Sequence, residues 1–158
     1  MIADLSRGYE AYVAGRPAGF VKDKRRRARR MAEALGPLSF TFGADEGGIL
    51  DFILDLKRQQ MRRTGQHDVF ASPWTIPFLR HLARQSSHDF GLRFAVLRAG
   101  SEVVAAEVGL RSGGAYHLWF PVYNVEFARF SPGALMTLEA LRAGSESGIA
   151  VLDFGPGD

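Results

Sequence analysis

The second half of the chain carries four side chains of the kinds that move protons: Glu107, His117, Tyr123 and Asp153. An imidazole changes charge in the range of about pH 5 to 8, so His117 is either a general base or an ordinary half-buried histidine. It stands in the run Ala115 to Tyr123, whose alternation places His117, Trp119 and Tyr123 together on one side of a strand. Glu107 lies in VVAAEVGLR. Alternation sets it with Val103, Ala105, Gly109 and Arg111, opposite the apolar Val104, Ala106, Val108 and Leu110. A carboxylate between two small residues leaves room for a ligand; a solvent-facing glutamate fits the same pattern. Asp153 ends an apolar run beside Gly155 and Gly157, which permit close backbone approach. It either meets a ligand at the carboxyl end of a sheet or ties down the final loop.

A second constellation uses backbone. In SPGALMTLEALRAGSESG, Ser131 suits the N-cap, Pro132 the first helical position and Gly133 the second. The first amides of a helix lack intrahelical partners and sit at the positive end of its dipole. The motif is therefore plain capping chemistry or a cradle for phosphate. Proline has no N–H, so a cradle would use Gly133, Ala134 and Leu135, with Arg129 just upstream.

These groups need a scaffold, and the periodicity supplies one. A short helix is expected over Tyr9 to Val13 and a longer one from Pro17 to Leu35, stopped by Gly36-Pro37. Leu38 to Phe42 alternates as a strand. Asp45 can cap a helix that buries Ile49, Phe52, Ile53 and Leu56 and ends at Gly65; Ser72-Pro73 opens another that buries Ile76, Leu79, Leu82 and Ala83. Three strands follow, Leu92 to Leu97, Val103 to Arg111 and Ala115 to Tyr123, joined by Gly-containing turns into an antiparallel meander. A helix from Pro132 to about Ser147 then leads to a strand at Ile149 to Phe154. A helical crossover makes that last pair parallel. The expected class is α+β: a mixed sheet with helices on both faces.

The 158 residues fit one domain, and 46% hydrophobic with 23% charged residues is ordinary for a globular chain. There is no cysteine, which excludes disulfides, thiolate metal sites and a cysteine nucleophile and is compatible with a reducing cytoplasm. His67, His81 and His88 lack paired-ligand spacing, so no metal site is expected. No apolar run approaches the roughly 20 residues of a membrane span, and Met1 to Glu10 lacks the order of a signal peptide.

The run HLWFPVYNVEFARFSPGALMTLEALRAGSESGIAVLDFGPGD resembles the acetyltransferases associated with cellulose biosynthesis, the CelD/BcsL group. That group lies in the GNAT superfamily and is akin to FemAB-type aminoacyl transferases. The early stretch GYEAYVAGRPAGFVKDKRRRARRMAEALGPLSF resembles the same group, so most of the chain is covered. The resemblance implies a GNAT-like fold and an N- or O-acyltransferase acting on a small molecule or saccharide, with acetyl-CoA or another acyl-CoA as donor. Arg129 and Ala134 match the ends of the family's phosphate loop, whereas Pro132 replaces its first glycine. Glu107, His117 and Asp153 become candidates for proton transfer, and Tyr123 for donation to the departing thiolate. The relation to FemAB enzymes implies one alternative, an aminoacyl-tRNA-dependent transferase; a second is a non-catalytic GNAT half that serves as a binding module.

The run KDKRRRARR, residues 22 to 30, has seven basic residues in nine. It lacks the interleaved aromatics of a base-stacking surface, so nucleic acid is not the expected partner. Residues 1–158 are expected to be part of a longer acyltransferase, with little turnover alone. The Ile149 to Phe154 strand would then lie near an unprotected sheet edge, where self-association is expected.

Overall fold

The computed structural model describes residues 1–155; Gly157 lies outside them. In chain order the elements are β1 (Ile2–Asp4), α1 (Tyr9–Ala14), α2 (Phe20–Leu35), β2 (Leu38–Gly43), α3 (Ile49–Thr64) and α4 (Thr75–Arg84). Then come β3 (Phe90–Ala99), β4 (Glu102–Ser112), β5 (Ala115–Tyr123), a 3-10 turn (Val125–Phe130), α5 (Pro132–Glu146) and β6 (Val151–Asp153). The strands form one sheet in the order β1-β6-β5-β4-β3-β2. Only β5 and β6 run parallel, as the α5 crossover between them requires.

Local chemistry explains most of the boundaries. Asp45 accepts hydrogen bonds from the amides of Ile49 (2.8 Å) and Leu50 (3.4 Å) and so caps α3. Gly65 closes that helix in the left-handed conformation. The long basic helix starts at Phe20 rather than Pro17, because Gly19 just before it is left-handed. Ser72-Pro73 forms a turn ahead of α4, with the Ser72 carbonyl accepting from the Thr75 amide at 3.2 Å. The last strand is shorter than its apolar run. Ile149 is buried, but its amide donates to Gly144 at 2.9 Å and belongs to the end of α5.

The expectation of an unprotected final strand is corrected: β6 lies between β5 and β1. Ile2, Ala3 and Asp4 pair antiparallel with Asp153, Leu152 and Val151. Three residues are too few to display a period, which is why β1 is invisible in the sequence. The sheet edges are β1 and β2.

Helices cover both faces. On one, Leu50 and Ile53 of α3 and Leu79 of α4 pack on Phe94, Val96 and Val108. On the other, Met31 of α2 and Leu135 and Met136 of α5 pack on Ala95, Leu97 and Ala105. Leu141 extends that layer over Tyr116 and Leu152. Each such side chain contributes roughly 1.5–3 kcal/mol on burial. Gly109 marks the tightest point of this packing. A Cβ there would stand 2.4 Å from the His117 carbonyl oxygen and 2.6 Å from the Tyr116 ring. Neither can move, one being sheet backbone and the other a fully buried ring. Gly109→Ala is therefore expected to destabilise by about 1–3 kcal/mol in urea unfolding, and wild-type stability would refute this.

Candidate functional site

The strand that carries most of the candidate residues is irregular. Val108 pairs with Phe120 and Gly109 with Leu118, so Trp119 is an extra residue in β5. Such a bulge inverts the alternation beyond it. His117 pairs with Leu110, on the side covered by α3 and α4. Tyr123 pairs with Ala105, on the side covered by α2 and α5. The expectation that His117 and Tyr123 share a face is thereby corrected. Six residues of strand also separate them by about 20 Å, so no single reacting atom reaches both. Tyr123 is exposed at the far end of β5.

The fold instead brings His117 to Asp153. They are the last paired residues of β5 and β6, and imidazole Nδ1 stands 3.5 Å from carboxylate Oδ2. The other oxygen, Oδ1, accepts from the Gly155 amide at 2.9 Å. That backbone hydrogen bond, helped by His117, holds the Asp153 carboxyl below its usual range. Asp153 thus both ties the loop and faces an imidazole. Beyond this pair the strands part. The backbone of Leu118 to Tyr123 has no strand partner on the β6 side among the described residues.

Glu107 lies on the other face and is not solvent-facing; it is 3% exposed. Its neighbours across the sheet are Ala95 and Pro121. Burial raises its carboxyl to about 8. Near neutral pH it is therefore protonated, able to donate a hydrogen bond and unable to accept a proton. Tyr116, fully buried nearby, is pushed well above its ordinary range by burial and then by Glu107. Two cations line this face, Arg111 as the alternation predicts and Arg93, which the sequence did not announce. Arg93 is buried and donates to Ser86 Oγ (2.5 Å) and to the carbonyls of Leu92 (3.0 Å), Ser87 and His88 (3.0 Å). Arg111 is buried and donates through Nε to the Gly113 carbonyl at 3.1 Å. These bonds direct both guanidinium groups to the turns at the strand ends, and burial alone sets the Glu107 carboxyl.

The start of α5 has Ser131 at the N-cap, Pro132 first and Gly133 second, but the serine does not cap with its side chain. Ser131 is left-handed, with φ 54°. Its carbonyl accepts from the amides of both Ala134 (3.1 Å) and Leu135 (3.4 Å). An anion cradle built on Gly133, Ala134 and Leu135 thus narrows to Gly133, whose amide meets no described residue. A Cβ on Gly133 would meet nothing within 4 Å, so this position opens outward. Ser131 Oγ instead accepts from Arg27 Nη1 at 2.7 Å, and Asp23 holds the Arg27 Nε at 2.7 Å. Arg129 rests its guanidinium 4.7 Å over the Phe130 ring, in the turn just before the helix. Gly133 and Arg27 are the polar groups that this end could turn toward a phosphate. Arg27 escaped the sequence because its run of basic residues does not say which one turns inward.

Among the described residues no group of three His, Asp or Glu is placed to hold a metal ion. No helix among them is long and apolar enough to cross a membrane.

Comparison with known proteins places this geometry. Among curated proteins no sequence matches. Among solved structures, one similar chain is the C-terminal domain (DUF2156) of a candidate lysylphosphatidylglycerol synthetase from Agrobacterium fabrum. It is 14% identical with a TM-score of 0.62, over 98% of this chain and 44% of that one. A conserved protein of unknown function from Bacteroides thetaiotaomicron is 13% identical with a TM-score of 0.61, over 96% of this chain and 48% of its own. The chain thus spans less than half the length of either structure, and at these identities the likeness is one of fold. The family described as an acetyltransferase (GNAT) domain matches residues 18–158. With the meander, the α5 crossover and the parting strands already in place, that match over most of the chain settles its kinship: it belongs to the GNAT acetyltransferase domain family.

Proposed function

We propose that the domain transfers an acyl group from an acyl-CoA, acetyl-CoA first among them, to an amine or hydroxyl of a small molecule or saccharide. The CelD/BcsL resemblance of its C-terminal run supports that acceptor class. The observation that carries the reading is the open side of β5. Its backbone from Leu118 onward is free to hydrogen-bond an extended, amide-bearing ligand as a further strand would. At the far end of that strand the chain enters α5, where Gly133 and Arg27 offer an amide and a guanidinium to phosphate. At the near end stands His117 with Asp153.

The thioester supplies an activated carbonyl and a good leaving group. The protein then has to align, deprotonate and stabilise charge. In this reading His117 takes the proton of the attacking group, and Asp153 favours the imidazolium that results. Unpaired β5 amides beside the Trp119 bulge face the developing oxyanion. Glu107, neutral in its buried site, is a structural donor rather than the base. Tyr123 belongs to the phosphate end of the strand.

Calorimetric titration with coenzyme A tests the donor site. Wild-type protein is expected to bind saturably. Gly133→Val keeps a helical backbone and pushes a side chain into the open space, weakening binding about 10–100-fold, the worth of one charge-assisted hydrogen bond. No binding by the wild type, or unchanged affinity in the variant, would sink the assignment.

A further inference from the structure

Positive charge on this chain is concentrated. Residues 22 to 30 hold seven basic side chains and one acid, whereas the whole chain holds 20 basic and 17 acidic residues. The remainder is therefore net acidic. Asp23 is taken by Arg26 (2.6 Å) and Arg27, and Arg27 turns to Ser131. Lys22, Arg25, Arg29 and Arg30 remain exposed, in no ion pair with any described residue. At helical spacing, Lys22, Arg25, Arg26 and Arg29 line one groove of about 730 Å³.

Arg25 also borders a second space, a slot of about 270 Å³ between α2, β2 and α5. Its floor is apolar, with Leu38, Phe40, Leu97, Leu135 and Leu138, while Lys24, Arg25 and the Glu139–Arg142 ion pair (2.6 Å) stand around it and leave it net positive. A cationic groove alone suits any polyanion. Nucleic acid would add base stacking, but the one ring on this helix, Phe20, is covered by the Lys24 ammonium at 3.6 Å. An apolar slot sharing an arginine with the groove suits something else: an anionic head group with an acyl chain beside it.

We propose that this side of the domain docks on an anionic lipid surface. Lys22, Arg25, Arg26 and Arg29 meet the head groups, their stems lying along the apolar boundary while their charges reach the phosphates. The leucine-lined slot accepts an acyl segment. Gly133, Arg27 and His117 of the proposed thioester site are not among these residues, so the two readings stand or fall separately.

Co-sedimentation with phosphatidylcholine vesicles, with and without phosphatidylglycerol, is the test. Binding is expected only to the anionic vesicles and should weaken with salt. Each basic residue at such a surface is worth about fivefold in partitioning, so R25Q/R29Q should lose about thirtyfold. Ala28→Glu, on the α2 wall of the slot, places a carboxylate there and should lose several-fold with its thermal midpoint unchanged. Equal binding to neutral vesicles, or full binding by either variant, overturns the proposal. So does saturable tRNA binding at physiological salt that displaces the vesicles, which would make this a nucleic-acid surface. A matching loss of coenzyme A affinity in R25Q/R29Q would instead assign the groove to the donor and likewise overturn it.

Discussion

His117→Ala is expected to slow acyl transfer from acetyl-CoA to an amine by about 10²–10⁴-fold, the usual worth of a positioned general base. That loss corresponds to about 3–5 kcal/mol of barrier. The geometry singles out this residue. His117 stands where β5 and β6 part, faces Asp153 at 3.5 Å, and is half-exposed to an incoming acceptor. Tyr123 is about 20 Å away along the strand, and Glu107 holds its own proton at neutral pH. Single-turnover measurements with protein in excess over acetyl-CoA isolate the chemical step, even where repeated turnover is slow. Added imidazole should restore part of the rate in His117→Ala, because it supplies the missing base. Asp153→Asn should cost less, since it removes the partner of the imidazolium and not the base itself. Coenzyme A affinity should be unchanged in both variants. A His117→Ala protein that transfers at the wild-type rate would remove His117 from the reaction.

Glu107→Gln is expected to abolish a loss of stability that Glu107 imposes as the pH rises. Folding raises this carboxyl from 4.5 to about 8, through burial. Between those values the native state holds a proton that the unfolded chain has released. Stability is then fully present below 4.5 and is lost as the pH rises to about 8, by about 5 kcal/mol at the upper end. Glutamine keeps the shape and cannot ionise. The variant should match wild type within about 1 kcal/mol at pH 5 and exceed it by up to about 5 kcal/mol at pH 9. Urea unfolding of both proteins across this range measures the difference, in which the other titrations cancel. Parallel curves would mean that the carboxylate finds stabilising partners when it ionises.

The sequence by itself determined what is encoded locally. Alternation in VVAAEVGLR and its neighbours marked the meander, Asp45 and Gly65 marked the ends of α3, and Ser131-Pro132 marked the start of α5. Each signal spans a few residues, because caps, turns and side-chain periods are set by adjacent backbone geometry. The order of strands 3 to 6 followed from short turns and one helical crossover. The mistakes have a common origin in contacts between distant segments. β1 exists because Ile2–Asp4 finds β6, some 150 residues later. The Trp119 bulge exists because β4 and β5 shift register at Gly109, and that one residue moved Tyr123 away from His117. The seven basic residues of α2 are chemically alike in sequence. Only packing against the start of α5 turned Arg27 toward Ser131 and left Arg25 and Arg29 outside. Glu107 likewise read as a carboxylate beside a ligand or as a solvent-facing one, and it is neither solvated nor exposed. What decided it was the layer of α2 and α5 laid over Ala95 and Ala105, which removed water from the carboxyl and so chose its protonation state.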